Sequence, residues 1–207
     1  MLNKLRIIFY LPFLIFPLLS YLLVFNNIKI KKDVNAWKKQ FKIDESFFYA
    51  LINFLVNFKD FRNLYYYRLK YAAKDKNKFI VLRVLITIFL LLSELFLKKI
   101  DTLLISGEIG GGLVLVHAFY SIISPEKMGE NCKIWHEVTI GYRNYKAPII
   151  GDNVFISPGA KIVGEIVIES NSKIGPNALV LDNIPKNSIV VSEKSKLLNI
   201  VSEEIKK

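Results

Sequence analysis

An aliphatic residue returns at every sixth position through the C-terminal half of this chain, for longer than an α-helix or an ordinary strand explains. Ile150, Ile156, Ile162, Ile168, Ile174 and Val180 are six apart, and Val154, Ala160, Ile166, Ser172, Ala178 and Ile184 follow four residues behind each. Upstream the same step gives Met128, Ile134 and Ile140, then ten residues to Ile150, so four residues are inserted around Arg143 to Ala147. Earlier still it gives Ile109 and Leu115, and from Leu115 to Met128 is thirteen, one more than two hexads, which places a register slip near Tyr120. A period of six fits neither 3.6 nor simple alternation, and a fixed long period is the mark of a solenoid. The reading is a parallel β-helix in which each hexad is a short strand and a corner, with the aliphatic residue inward and a small residue at the tight fifth position. Gly129, Asn131, Gly151, Asn153, Gly159, Gly175 and Asn177 suit corners that β-branched residues resist. A β-sandwich with regular turns is the competing fold, and it would show two-residue alternation at irregular spacing.

The first hundred residues differ in kind. They carry 18 Lys and Arg against 6 Asp and Glu, whereas residues 101–207 carry 11 against 12, so the net charge of +11 belongs to the N-terminal half. No zinc-finger, RNP-like or helix-turn-helix signature accompanies it, so nucleic acid is set aside in favour of a negatively charged membrane surface. Ile7 to Phe25 is free of charge, with Lys4 and Arg6 before it and Lys29, Lys31 and Lys32 after it. Its length is near that of a bilayer span, but Pro12 and Pro17 interrupt it, and no small-x-small cleavage site follows Leu23. It reads as a membrane-associated or re-entrant helix, with packing on a partner subunit as the alternative. Residues 34–78 read as two or three helices, for example Ser46 to Phe58 and Phe61 to Tyr71, with Lys74 to Lys78 a polar turn. Ile80 to Leu97 is a second apolar segment that Arg83 and Glu94 interrupt, which favours a buried or interfacial helix. The expected organisation is a membrane-associating segment over 1–27, a helical region over 28–100, the β-helix over 101–191 and a tail over 192–207.

The single cysteine, Cys132, excludes an internal disulfide and sits at a small fifth position, where it reads as core. The two histidines, His117 and His136, both occupy the third hexad position, after Leu115 and Ile134. With three hexads per coil, their separation of 19 is one coil plus the slip, so both should lie on one edge in neighbouring coils, about 4.8 Å apart. Gly110 to Gly112 and the inserted loop flank them. A histidine in such a place can take a proton from an attacking hydroxyl. No serine elbow or Cys/His pattern offers a covalent route, which leaves direct transfer to an acceptor hydroxyl. Two histidines without a carboxylate at ligand spacing give no metal site.

These residues resemble the hexapeptide-repeat acyltransferases with left-handed β-helices, and within them the serine acetyltransferase-like branch. Ile-Gly-Gly-Gly-Leu-Val-Leu-Val-His at 109–117 is similar to that branch's Ile-Gly-x-Gly-Leu-x-Ile-x-His, whose histidine is the general base, so the resemblance assigns that role to His117. Trp-His-Glu-Val-Thr-Ile-Gly at 135–141 is similar to its Gln- or His-Gly-Val-Thr-Ile-Gly segment. A histidine there, and the ending Val-Val-Ser-Glu-Lys-Ser-Lys at 190–196, are similar to the colanic acid and capsule O-acetyltransferases. The resemblance covers about residues 100–196. It implies a homotrimer with active sites between subunits and acetyl-CoA as acyl donor, lying along corners that match Gly141, Gly159, Ala160, Asn177 and Ala178, with Lys194 or Lys196 meeting its phosphates.

Three positions depart from the serine enzymes. Thr102 stands where they have an aspartate fifteen residues before the base, Val116 where they have one immediately before it, and Ala147 where they have a histidine before a proline. Asp101 replaces the orienting acid only if the register shifts by one. The expected activity is therefore acetyl-CoA-dependent O-acetylation of a sugar or lipid-linked glycan in surface polysaccharide synthesis, at the cytoplasmic face of the membrane. Serine O-acetylation for cysteine synthesis is the alternative. A non-catalytic scaffold leaves the paired histidines unexplained, and a carbonic-anhydrase-like metal protein needs a third histidine.

Overall fold

The hexad phase read from the sequence is the phase of the folded chain: Ile109, Leu115, Met128, Ile134, Ile140, Ile150, Ile156, Ile162, Ile168, Ile174 and Val180 are all buried. The computed structural model describes residues 7–24 and 27–193. Between Leu103 and Val190 those residues form fourteen short strands that wind through three parallel sheets. The first sheet stacks β1 (Leu103–Ile105), β4 (Ser121–Ile123), β7 (Thr139–Gly141), β10 (Lys161–Val163) and β13 (Leu179–Val180). The second stacks β2 (Glu108–Ile109), β5 (Lys127–Met128), β8 (Ile149–Ile150) and β11 (Val167–Ile168). The third stacks β3 (Val114–Leu115), β6 (Lys133–Ile134), β9 (Phe155–Ile156), β12 (Lys173–Ile174) and β14 (Ile189–Val190). The fold is the left-handed β-helix that the sequence implies, about five turns long. The small fifth positions Val154, Ala160, Ser172 and Ala178 are buried at the corners, as is Cys132, whose thiol burial pushes up to about 12.

The corners are not equivalent. From the second sheet to the third the inward residues are always six apart, as in Ile109 to Leu115 and Ile168 to Ile174. An asparagine ladder lines that corner, Asn153 donating to Asn171 and Asn171 to Asn187, each at 3.1 Å and each residue left-handed. Asparagine tolerates positive φ and pairs with its own kind in the next coil. From the first sheet to the second the spacing varies, and there the Arg143 to Ala147 insertion leaves the cylinder as a loop closed by Arg143 and Lys146. From the third sheet to the first the spacing is six except once. Leu115 and Ile123 are eight apart, because Ile123 pairs with Ile140 while Leu115 pairs with Ile134. The slip near Tyr120 is thus two residues gained at the His117 corner and one given back before Met128.

Ahead of the β-helix lies a layer of helices: α1 (Ile15–Leu23), α2 (Ile28–Phe41), α3 (Phe47–Asn57), α4 (Lys59–Lys74) and α5 (Ile80–Phe96). Asn27 caps α2 by accepting from the Lys29 and Ile30 amides, and Ser46 caps α3 by accepting from Tyr49. Pro12 opens a 3-10 turn, Leu11–Leu14, and Pro17 sits in the first turn of α1, where a missing N–H costs nothing. Leu14, Tyr21 and Val24 are buried, and Phe13 and Phe16 stack on Phe96 of α5, so the apolar N-terminal segment folds back on its own chain. Among the described residues no helix is long and apolar enough to cross a membrane.

A buried ion pair between two helices binds the helical layer to the head of the coil through backbone groups. Arg68 of α4 donates to Asp33 of α2 through Nε at 2.8 Å and Nη2 at 3.1 Å, and both side chains are 2% exposed. Arg68 also donates to the carbonyls of Ile109 and Gly110, and Asp33 accepts from the amides of Gly112 and Leu113. The glycines between them are there for packing. A Cβ on Gly110 would lie 2.5 Å from the Gly129 oxygen, one on Gly111 would lie 2.9 Å from the Lys32 side chain, and Gly112 has φ +81°. Removing one member of such a pair leaves a buried charge without its partner. Arg68→Met is expected to cost about 3–5 kcal/mol in urea unfolding, with part recovered when Asp33→Asn is added. An unchanged unfolding midpoint in the single variant would show that the helices dock by apolar contact alone.

Candidate active site

The corner between the third and first sheets carries one residue per coil in a column: His117 and His136 each lie two residues past the paired Leu115 and Ile134, and Pro158 and Pro176 continue the series below. The coils are tied through that column, with the Gly159 amide donating to the His136 carbonyl at 3.1 Å and the Asn177 amide to the Pro158 carbonyl at 2.9 Å. Counted from the paired Leu115 and Ile134 the two histidines are in register in neighbouring coils, but past the two extra residues the tie passes to Phe119, whose carbonyl accepts from the Glu137 amide at 3.0 Å, and the side chains of the two histidines live in different surroundings. His117 is exposed and left-handed, with φ 49°. His136 is half-buried, its ring stacked at 5.2 Å on Phe119, and its Nδ1 is buried with no hydrogen-bond partner.

The two extra residues of this corner make room for that arrangement. His117 and Tyr120 both have positive φ, so the chain bulges outward between them and turns Phe119 back over His136. Histidine tolerates positive φ better than most residues and tyrosine less well; the corners below carry one left-handed residue each, Glu137, Gly159 and Asn177, and this one carries two. Two groups brace the bulge from outside the column. The Tyr120 amide donates to Thr102 Oγ1 at 3.2 Å, and the Ala118 amide donates to the Asp60 carboxylate at 2.9 Å. Asp60 stands in the first turn of α4. Burial pushes its carboxyl above the usual carboxylate range, while the Ala118 N–H and the charge of His117 pull it partly back.

Asp60 is the functional neighbour that sequence reasoning missed. It lies 57 residues before His117, inside a helix outside the repeat, and no spacing connects the two. Asp101 is exposed in the turn before β1, and the carboxylate bonded to the turn after His117 is Asp60. The three departures from the serine enzymes leave no charge of their own: Val116 and Ala147 are buried, and Thr102 spends its hydroxyl on Tyr120.

Of the residues expected along the acyl donor, Gly159, Ala160, Asn177 and Ala178 share the histidine column and Gly141 does not. Gly159 has φ +74° and a Cβ there would strike Asn177 Oδ1 at 2.0 Å, so the two surface residues of adjacent corners are matched to one another. Ala160 and Ala178 are buried, and their amides donate to Ser157 and Gly175 within the corner while their carbonyls accept from Thr139 and Lys161. Gly141 ends β7 beside the inserted loop, and a Cβ there would meet nothing within 4 Å. Lys194 lies outside the described residues, as does Lys196. Among the described residues no group of three His, Cys, Asp or Glu is placed to hold a metal.

Comparison with known proteins agrees with the fold. The bacterial transferase hexapeptide family (six repeats) matches residues 147–182, the most regular part of the coil. A serine acetyltransferase of Helicobacter pylori is 28% identical over 137 residues, covering 64% of this chain and 77% of that protein. One of Staphylococcus xylosus is 39% identical over 89 residues, 41% of each. Among solved structures, Neisseria gonorrhoeae serine acetyltransferase superposes with a TM-score of 0.58 at 28% identity, covering 81% of this chain but 63% of the other. The chain thus spans less than two thirds of the solved relative's length. By its repeat, its coil and these relatives, the chain carries a hexapeptide-repeat β-helix and is similar to serine acetyltransferases.

Proposed function

We propose that the protein is an O-acetyltransferase in which His117 is the general base, His136 is a second ligand-facing imidazole, and acetyl-CoA is the donor. The observation that carries this reading is the strained, braced corner that presents an exposed imidazole beside a half-buried one. A ring nitrogen of His117 takes the proton of the acceptor hydroxyl as its oxygen attacks the thioester carbon. The C–S bond then breaks, and the proton passes to the leaving sulfur. Asp60, held by the Ala118 amide, faces the positive charge that His117 acquires and steadies the turn that carries it. Gly159 and Asn177 line the donor's path down the column, with Lys194 at its phosphate end. The active unit is a trimer with sites between subunits, and Gly141 and the loop beside it reach the donor from a neighbouring subunit.

The names of the relatives favour serine as acceptor. A second reading, a sugar hydroxyl of a surface polysaccharide or lipid-linked glycan, is favoured by one observation. Where the serine enzymes are expected to carry two aspartates and a histidine, this chain has Thr102, Val116 and Ala147, which offer an amino acid's ammonium and carboxylate groups no charged partner. Under that reading the basic, apolar first segment, residues 1–27, keeps the enzyme at the inner face of the cytoplasmic membrane. Thiol release from acetyl-CoA, measured with serine, nucleotide sugars and lipid-linked glycans in turn, separates the two.

His117→Ala is expected to lower kcat/KM by about 10²- to 10⁴-fold and to leave the assembly intact in analytical ultracentrifugation. His136→Ala should cost less and act mainly on KM, and an equal loss in both variants means that the two rings share the base role. Asp60→Asn keeps an acceptor for the Ala118 amide but removes the charge. The pH–rate profile of that variant against the wild type reads whether the charge takes part in the reaction. Asp60→Ala additionally frees the strained turn and lowers kcat, and a profile unmoved in both variants shows that Asp60 only caps structure. Sedimentation of the wild type should give a mass three times that of the 23.9 kDa chain.

A further inference from the structure

Helix α5 is built inside out. Its inner stripe, Ile86, Leu90 and Ser93, is buried against the other helices, as an amphipathic helix requires. Its outer stripe is no more polar: Ile80, Val84, Ile88, Leu91 and Leu95 recur at helical spacing and are 45–66% exposed, and Phe79, just before the helix, is 86% exposed. The 3-10 turn and α1 pack alongside and extend the surface with Phe9, Leu11, Ile15 and Leu22. A contiguous apolar face of this kind on a soluble chain marks a docking surface.

The rim of the face shows what it docks to. The half of the chain that builds it holds 18 basic residues against 6 acidic ones. Where the α4–α5 turn leads into Phe79, a groove of about 860 Å³ opens between that turn and the junction of α1 with α2. Leu23, Ile28 and Tyr71 line it, as do Lys74 and Lys78, while Lys29 at its side donates its ammonium to the Ile109 carbonyl at 3.0 Å. Asp75 also lines it and pairs only loosely with Lys78, at 3.9 Å. An apolar face that ends in a groove set with cations is complementary to an acyl layer topped by anionic headgroups. We propose that α5, with the helices beside it, is a monotopic docking surface for an anionic lipid bilayer, and that the groove takes a lipid phosphate at its edge.

This deepens the membrane-surface part of the proposed function, moving the principal contact from residues 1–27 to α5, and it is independent of which acceptor is acetylated. The test is co-sedimentation of the full chain with vesicles of phosphatidylglycerol and phosphatidylethanolamine, against vesicles of phosphatidylcholine alone. The wild type should bind the anionic vesicles and be weakened by salt. Val84→Glu with Leu91→Glu should reduce binding by about tenfold or more, and Lys74→Glu with Lys78→Glu should remove the preference for anionic lipid. If Phe9→Glu with Leu11→Glu abolishes binding while the α5 pair leaves it intact, the first segment is the anchor and the assignment to α5 is wrong. Should the α5 pair instead shrink the assembly in ultracentrifugation with vesicle binding unchanged, the face belongs to a second copy of the chain and the proposal falls. Absence of vesicle binding in the wild type overturns the membrane reading altogether, and thiol release with a soluble acceptor, followed in the same samples, reports separately on acetyl transfer.

Discussion

The pairing of Asp33 with Arg68 is the contact on which the two halves of the molecule depend. A solenoid's first coil has an open end, with backbone groups that no preceding coil satisfies, and something must cover it. Here the cover is polar. Asp33 and Arg68 neutralise one another out of water, and their remaining bonding capacity goes to the backbone of Ile109 to Leu113. Trp37 adds its indole N–H to the Leu113 carbonyl, and Lys29 reaches the Ile109 carbonyl. A buried ion pair repays its desolvation only when its other hydrogen-bonding positions are filled, and in this one they are. The Gly-Gly-Gly run makes the approach possible, because a Cβ at Gly110 or Gly111 would collide with the next coil or with α2.

How much of this was legible follows from where the information lies. The coil was legible to the residue, because inward positions repeat at a fixed step and a one-residue error would bury Lys133 or Lys161 in place of Ile134 or Ile162. The column of His117 and His136 followed from the same arithmetic. What the repeat could not reveal are the contacts made from outside it. The glycines before His117 look like a ligand cradle in one dimension and prove to be the landing site of a helix. Asp60 was invisible because an N-terminal turn of a helix meets a β-corner only after both have folded. Net spacing also concealed local detail: a separation of thirteen records two residues inserted and one deleted as a single slip.

The same distinction bears on the acceptor. Sequence comparison weighs the coil, which is common ground for acetyl transfer, and so draws the chain toward proteins named for serine. Two positions that differ from the serine enzymes, Val116 beside the bulged corner and Ala147 at the end of the inserted loop, are buried apolar groups. A scaffold retained for one reaction can accept a different hydroxyl when a handful of positions lose their charge.

Helix α4 ties stability to chemistry in one element. Asp60, Asn63, Tyr67 and Arg68 lie along one of its faces, and each bonds to backbone at the head of the coil: Ala118, Ile100 with Leu103, Gly107, and Ile109 with Gly110. A buried face that polar would be a defect in an isolated helix, yet here it matches unsatisfied backbone group for group. The consequence reaches the His117 corner, where the coil departs from its own period and left-handed residues cost about 1–3 kcal/mol each. A regular hexad would lack the two residues that carry His117 outward, while keeping one left-handed residue at the corner, as Glu137, Gly159 and Asn177 do in the coils below. The corner stays open because α4, anchored eight residues further along by Arg68, holds the Ala118 amide where the bulge requires it. The helices therefore do more than cover an exposed end, since Asp60 holds the one third-to-first-sheet corner at which the coil departs from its period.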